Sequence, residues 1–207
     1  MPKFSLYLAF TALLLAPSAC QAQDHDMAEG HATDGEHAAM HAGVPMRAND
    51  APRASPNAHV MQTIGTTNVM VHYGRPSVKE RPIFASGDDA LVPFGQVWRT
   101  GANEAATITF SAPVQIGGET LDAGTYGLFT IPGADEWTVI FNRTAEQWGA
   151  FDYDAAEDAL RAVTTPMSGQ PHQEQFLITF ENVTAESADL VLAWDDVRVP
   201  VSIATEG

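Results

Sequence analysis

From residue 58 onward, short runs rich in Val, Ile, Thr, Phe and Trp recur between Gly, Pro, Asn and Asp, a pattern that predicts strands. Candidate strands cover 59–64, 68–73, 106–111, 125–131, 137–142, 175–181, 188–194 and 197–203. Thr107, Thr109 and Ser111 alternate with Ile108 and Phe110, and Thr138 and Ile140 alternate with Trp137, Val139 and Phe141. Successive side chains of a strand point to opposite faces, so each of these runs turns one side toward a core. Gly-Gly at 117–118, Asp-Ala-Gly at 122–124, Ile-Pro-Gly at 131–133 and Glu-Asn-Val-Thr at 181–184 mark turns. The acidic stretch 153–162, with Leu160 as its apolar anchor, predicts one short helix between strands. The pattern is that of an all-β chain: an antiparallel β-sandwich of the jelly-roll or immunoglobulin-like kind over 58–207, with no internal repeat and no second domain.

One connection breaks the rhythm. Residues 74–105 carry little strand pattern of their own, and a loop of that length in a compact domain is functional or disordered. Ile83, Phe84, Leu91, Val92, Phe94, Val97 and Trp98 argue for order, because these side chains need something to pack against. The expectation is an ordered, aromatic-bearing loop lying over the sandwich.

Upstream the texture differs. Lys3 precedes an apolar run over 4–15 that has the length of an export signal and is too short to span a bilayer. Ser18, Ala19 and Cys20 resemble the end of a bacterial lipoprotein signal, in which Cys20 is lipidated; ordinary cleavage after Ala22 is the alternative. The expected location is the periplasm or, through a lipid tether, the outer membrane. Residues 23–57 contain no Phe, Trp, Tyr, Leu or Ile and cannot offset the entropy of ordering, so they read as a disordered linker. His25, His31, His37 and His41 alternate there with Asp, Glu and Met, a donor set that suits copper or zinc but lacks a scaffold to fix a geometry. A solvated spacer with incidental histidines is the competing reading, and no other cofactor is expected. Cys20 is the single cysteine, which excludes an intramolecular disulfide.

Charge narrows the function. A net charge of −16 excludes nucleic acid as a partner, since polyphosphate binding needs a basic stripe. Residues 58–207 hold seven basic side chains against twenty acidic ones, and four of the seven, Arg75, Lys79, Arg81 and Arg99, fall within 75–99. Two readings compete. In one, arginines tie an irregular loop to backbone carbonyls, and Arg99 forms a buried pair with Glu104. In the other, Arg75, Arg81 and Arg99 converge beside Trp98 on an open groove and bind a small or polymeric ligand with anionic or hydroxyl groups. The indole then serves as a stacking face, aided by Asn103, Glu104 and, if its turn folds that way, Tyr126. Trp148 is a further aromatic suited to a sugar site, whereas Trp137 and Trp194 fall in strand patterns and read as core.

The segments "RPSVKERPIF", "LVPFGQVWRTGANEAATITFS", "LDAGTYGLFTIPGADEWTVIFN" and "FLITFENV" with "ADLVLAWDDVRVPV" resemble a family of secreted bacterial proteins catalogued as domain of unknown function 2911. The likeness runs from about residue 60 to 203. It implies an export-competent, β-rich domain and supplies no activity, so no catalytic residue carries over. The residues themselves show no G-x-S-x-G elbow, no H-E-x-x-H and no cysteine nucleophile beyond the signal. A hydrolase would need His72 or His172 to meet a carboxylate and a nucleophile such as Ser77. A ligand-binding module of the cell envelope is therefore the expectation. Its competitors are a structural or interaction module whose partner is another envelope protein, an unfamiliar hydrolase, and metal buffering by the histidine tail.

Overall fold

The computed structural model describes residues 52–87 and 89–205. Cys20, His25, His31, His37 and His41 lie outside the described residues, and so do the signal and most of the proposed linker. The strands follow in order as β1 (Asn57–Ile64), β2 (Thr67–Gly74), β3 (Phe84–Ala85), β4 (Val92–Pro93), β5 (Ala106–Phe110), β6 (Val114–Ile116) and β7 (Glu119–Leu121). Then come β8 (Gly124–Ile131), β9 (Trp137–Asn142), β10 (Asp158–Thr164), β11 (Gln173–Glu181), β12 (Ser187–Asp195) and β13 (Val197–Thr205). One sheet has the order β1-β2-β5-β8-β9-β10 and the other β11-β12-β13-β6-β7. Both are antiparallel throughout. The eight strands anticipated from alternation are all present within a residue or two.

Alternation explains the sandwich. Val69, Val71, Ile108, Phe110, Leu128, Val139 and Phe141 of the six-stranded sheet meet Phe176, Ile178, Leu190, Leu192, Val199, Val201 and Ile203 of the five-stranded sheet in one core. Burying each such side chain contributes about 1.5–3 kcal/mol. Gly117 and Gly118, both in the left-handed region (φ 61° and 85°), close the β6–β7 hairpin, as its two-residue loop requires.

Two expectations are corrected. The acidic stretch 153–162 is no α-helix: a single 3₁₀ turn over Ala155–Glu157 leads directly into β10. The period there is two, with Leu160 and Ala162 buried and Arg161 and Val163 exposed, and pairing with β9 overrides local preference. The domain also begins before residue 58. Asn57 opens β1, and the preceding main chain is tied in where Pro56 O accepts from Arg75 N (2.9 Å).

The connection 74–105 is ordered and carries the short parallel pair β3–β4, yet its Phe84 and Trp98 side chains enter the sandwich instead of lying over it. Ile83, Val92 and Trp98 are buried. The Trp98 ring stacks on Trp194 at 5.6 Å and meets Phe176 (5.1 Å) and Phe84 (5.8 Å) edge-on; Phe84 also contacts Trp137 at 4.9 Å. As expected, Trp137 and Trp194 are core residues. Buried backbone needs partners, and the loop finds them on both sheets. Val78 N donates to Glu174 O (2.8 Å), Phe176 N to Pro76 O (2.9 Å), and Trp98 and Thr130 exchange both of their backbone bonds (2.7 and 2.9 Å). Trp98 thus occupies the place beside β8 that β5 vacates.

Candidate functional site

The scarce cations do not converge. Arg75 Nε donates to Phe176 O (2.9 Å), Arg81 Nε to Val78 O (3.0 Å), and a second Arg81 nitrogen to Ser77 O. Lys79 N donates to Glu174 Oε1 (3.1 Å). Arg75 and the Lys79 amide bind the loop to β11, while Arg81 ties the loop to its own main-chain carbonyls, a role that the five donors of arginine suit. Trp98 is 7% exposed, with Nε1 donating to Gly101 O (3.1 Å), so it offers no face to a ligand. Tyr126 is buried beside Phe110, and its hydroxyl donates to Asp122 O (3.0 Å). It stands four residues along β8 from the Trp98–Thr130 pair, or roughly 13 Å at strand rise. The expected groove of Arg75, Arg81, Trp98, Arg99 and Tyr126 does not form.

The reason is alternation in a segment whose sequence hid it. Trp98 points into the main core, whereas Val97 joins a second, smaller core of Ala105, Phe129 and Ile140. Arg99 follows Trp98 and falls on the Val97 side.

Arg99 does not pair with Glu104. That carboxylate receives Arg53 Nη1 on both oxygens at 2.9 Å, and Asn103 Nδ2 donates to Ser55 O (3.3 Å), so both hold the segment leading into β1. The Arg53–Glu104 pair is partly exposed and contributes about 1 kcal/mol or less. Glu104→Gln should therefore lower the melting temperature only slightly while speeding tryptic cleavage after Arg53. Unchanged cleavage would mean that the pair does not hold this segment.

The Arg99 guanidinium is half-buried. Its Nε is closed to solvent with no hydrogen-bond partner, and no carboxylate among the described residues forms an ion pair with it. Burial pushes its pKa below the ordinary value, with no compensating charge. The backbone behind it is fixed at some cost. Thr100 (φ 50°) and Asn103 (φ 66°) adopt left-handed conformations, and a β-branched residue there stores about 1–3 kcal/mol. Thr100 is fully buried, and its hydroxyl bonds Trp98 O (3.4 Å) and Thr130 Oγ1 (3.3 Å).

The segment 144–153 lies alongside. Ala105 N donates to Gln147 O and Gly149 N to Asn103 O, each at 3.0 Å, with Glu104 and Trp148 bridged antiparallel. Gln147 is 8% exposed; its Nε2 donates to Thr144 O (2.7 Å), but its Oε1 is enclosed and unpartnered. Trp148 and Phe151 are 58% and 83% exposed. Tyr153 anchors the segment. Its ring lies 5.1 Å from Phe129, and its hydroxyl donates to Asp158 Oδ2 (2.7 Å) and accepts from Arg161 (2.9 Å). Burial, followed by the Asp158 carboxylate, pushes the Tyr153 pKa up to about 12. Of this cluster, the sequence reading had Arg99, Asn103, Glu104 and Trp148; Arg53, Gln147 and Phe151 were missed. The composition of "AEQWGAFDY" carried the usable signal, two large rings in a polar, turn-rich stretch with no alternation to bury them.

Of the residues named for a hydrolase, His172 meets carboxylates and Ser77 is engaged through its backbone. His72 stacks on its cross-strand neighbour His59 at 5.5 Å. His172 Nδ1 meets Asp195 Oδ1 (3.0 Å) and Nε2 meets Glu174 Oε2 (3.3 Å) on the surface, while Ser77 bridges Gln175 through its backbone. The hydrogen bonds to Asp195 and then Glu174 raise the His172 pKa above 6.5. A raised value stabilises the folded state fully below about pH 6.5, and that contribution fades as pH rises through the higher folded-state value. Glu174 is shifted down, first by the bond from the Lys79 amide and also by His172, and its contribution is lost only as pH falls below the carboxylate range. Melting temperature should therefore decline from pH 6.5 toward 8.5 in the parent, and less steeply in His172→Asn; parallel slopes would contradict the pairing. No group of three or more His, Cys, Asp or Glu side chains able to hold a metal ion occurs among the described residues.

A family model described as "Protein of unknown function (DUF2911)" matches residues 55–203. No curated protein and no solved structure matches the chain.

Proposed function

The chain belongs to the family described as "Protein of unknown function (DUF2911)", and from the geometry of its own residues we propose that it is a binding protein for an anionic, hydroxyl-bearing ligand, held at Arg99 on the segment that Glu104 bridges to Trp148. In this reading the export-type N-terminus delivers the domain to the cell envelope, with Cys20 as its lipid tether. One observation carries the proposal: in a protein with 26 acidic side chains, the Arg99 guanidinium is half-buried, without an ion pair among the described residues and mounted on strained backbone. An enclosed donor without a partner costs about 1–3 kcal/mol. Structural arginines in this same loop, Arg75 and Arg81, have their carbonyls; Arg99 does not.

The competing structural reading now applies to a different part of the loop. Trp98, Arg75 and Arg81 build the fold, and Arg99 is free for recognition. The test is Arg99→Met, which keeps the aliphatic stem and removes the charge. Its melting temperature should equal or exceed that of the parent. It should also lose any increase that acetate or inorganic phosphate gives the parent over chloride at equal ionic strength. A drop of several degrees, or an unchanged anion response, would remove the basis for a site.

A further inference from the structure

The outer face of β1 and β2 gathers soft metal donors. We infer that His59, Met61, Met70 and His72 form a binding site for a soft monovalent cation, copper(I), with the Thr107 hydroxyl orienting His72.

Register brings the four side chains together. His59 stands opposite His72 and Met61 opposite Met70. The bond from Arg75 N to Pro56 O puts Pro56, Ala58 and Val60 at hydrogen-bonded positions, so the histidine and methionine pairs are both of the non-hydrogen-bonded kind. In that kind the Cα atoms are about 4.5 Å apart and the side chains are closest. The two imidazoles stack with centroids 5.5 Å apart. Two residues along a strand span roughly 7 Å, so four long side chains stand at the corners of a small rectangle, within reach of one ion. Val69, Val71 and Tyr73 enter the main core, which turns Met70 and His72 to the other face. Met70 is buried and His72 half-buried, while His59 and Met61 are exposed on an edge strand, which gives an ion its entry.

Donor chemistry selects the ion. Imidazole suits copper and zinc alike, but thioether sulfur selects copper(I). Zinc and harder divalent ions favour thiolate or carboxylate, and these four residues offer neither. All four donors are neutral, and the net charge of −16 favours a cation.

Thr107 supplies a separate observation. It pairs with His72 across the β2–β5 register, is 3% exposed, and its hydroxyl is enclosed without a hydrogen-bond partner. Leaving such a group unmet costs about 1–3 kcal/mol. A metal-bound histidine donates its other ring N–H to an outer acceptor, which fixes tautomer and ring orientation. His72 held by an ion through one nitrogen has the other for this hydroxyl.

The test titrates silver(I), a redox-inert stand-in for copper(I), into the full chain and follows isotope-labelled methionine methyls and histidine rings by NMR. Met61→Leu and Met70→Leu assign two of the methyls and conserve volume. Met27, Met40 and Met46 report separately any ion taken up upstream. Silver should shift the Met61 and Met70 methyls and the His59 and His72 rings along one saturation curve, and zinc should leave those methyls unmoved. Met61→Leu with Met70→Leu, and separately the exposed His59→Gln, should weaken silver binding at this site by at least about tenfold, no less than the loss of an outer partner costs. Fixed Met61 and Met70 methyls, whether or not other methionines move, would overturn the inference. Zinc that saturates His59 and His72 at lower concentration than silver would overturn it as well.

Discussion

Trp98→Ala should unfold at a melting temperature about 10 °C below the parent. The indole is buried, stacked on Trp194, edge-on to Phe84 and Phe176, and bonded through Nε1 to Gly101 O. Truncating a core tryptophan costs about 3–5 kcal/mol, because the cavity collapses only partly. In a domain of this size each kcal/mol moves the midpoint by about 2–4 °C. The loss should also loosen the loop, since Trp98 exchanges two backbone bonds with Thr130 and anchors the connection between the sheets. Trp148→Ala, removing an equally large but exposed ring, should change the midpoint by less than about 2 °C. Similar midpoints for the two variants would contradict the placement of the loop.

Gly74→Ala should destabilise by about 3 kcal/mol, the upper range for forced overpacking. A methyl group on Gly74 would lie 2.3 Å from Ala102 O and 3.1 Å from the Ala102 carbonyl carbon, and it would meet only backbone. No rotamer change relieves such a contact, so the chain over 99–105 must move. Gly101, across the same contact, sits at φ +156° with its own Cβ position 3.0 Å from Gly74 O, so neither side can yield. Because the displaced segment carries Arg99, a partly folded Gly74→Ala protein should also lose the anion response. Gly118→Asn is the control, since that turn is open and Asn tolerates the left-handed conformation. Chemical denaturation of the three proteins measures both. A Gly74→Ala protein as stable as the parent would show that the two segments do not touch as described.

How much of this was legible depended on period. Strands such as β5 and β9 announce themselves because polar and apolar residues alternate over five or six positions. β6 and β7 span three residues each, too few for a period to register, though the Gly-Gly turn between them was plain. β10 was hidden by the acidic residues just before it, and only pairing with β9 reveals that Leu160 and Ala162 share a face. The apolar content of 74–105 correctly required order, yet it could not say that the rings fill the sandwich from inside. The candidate site failed at the same step. Arg75, Arg81 and Arg99 cluster in sequence, but the extended backbone sends Trp98 and Arg99 to opposite sides. Glu104 was assigned to the nearest arginine in sequence, while its partner Arg53 lies 51 residues away in a stretch whose composition reads as linker. Partners of that separation are set by topology, which composition and spacing do not encode.

Arginine side-chain NMR tests the central claim most directly, because the Nε–H of Arg99 is enclosed without an acceptor while those of Arg75 and Arg81 are bonded to carbonyls. On titration with acetate the Arg99 guanidinium signals should shift and saturate, while those of Arg75 and Arg81 stay fixed. A set in which Arg99 does not respond, or in which all three move together, would contradict a recognition site built on that one unpaired cation.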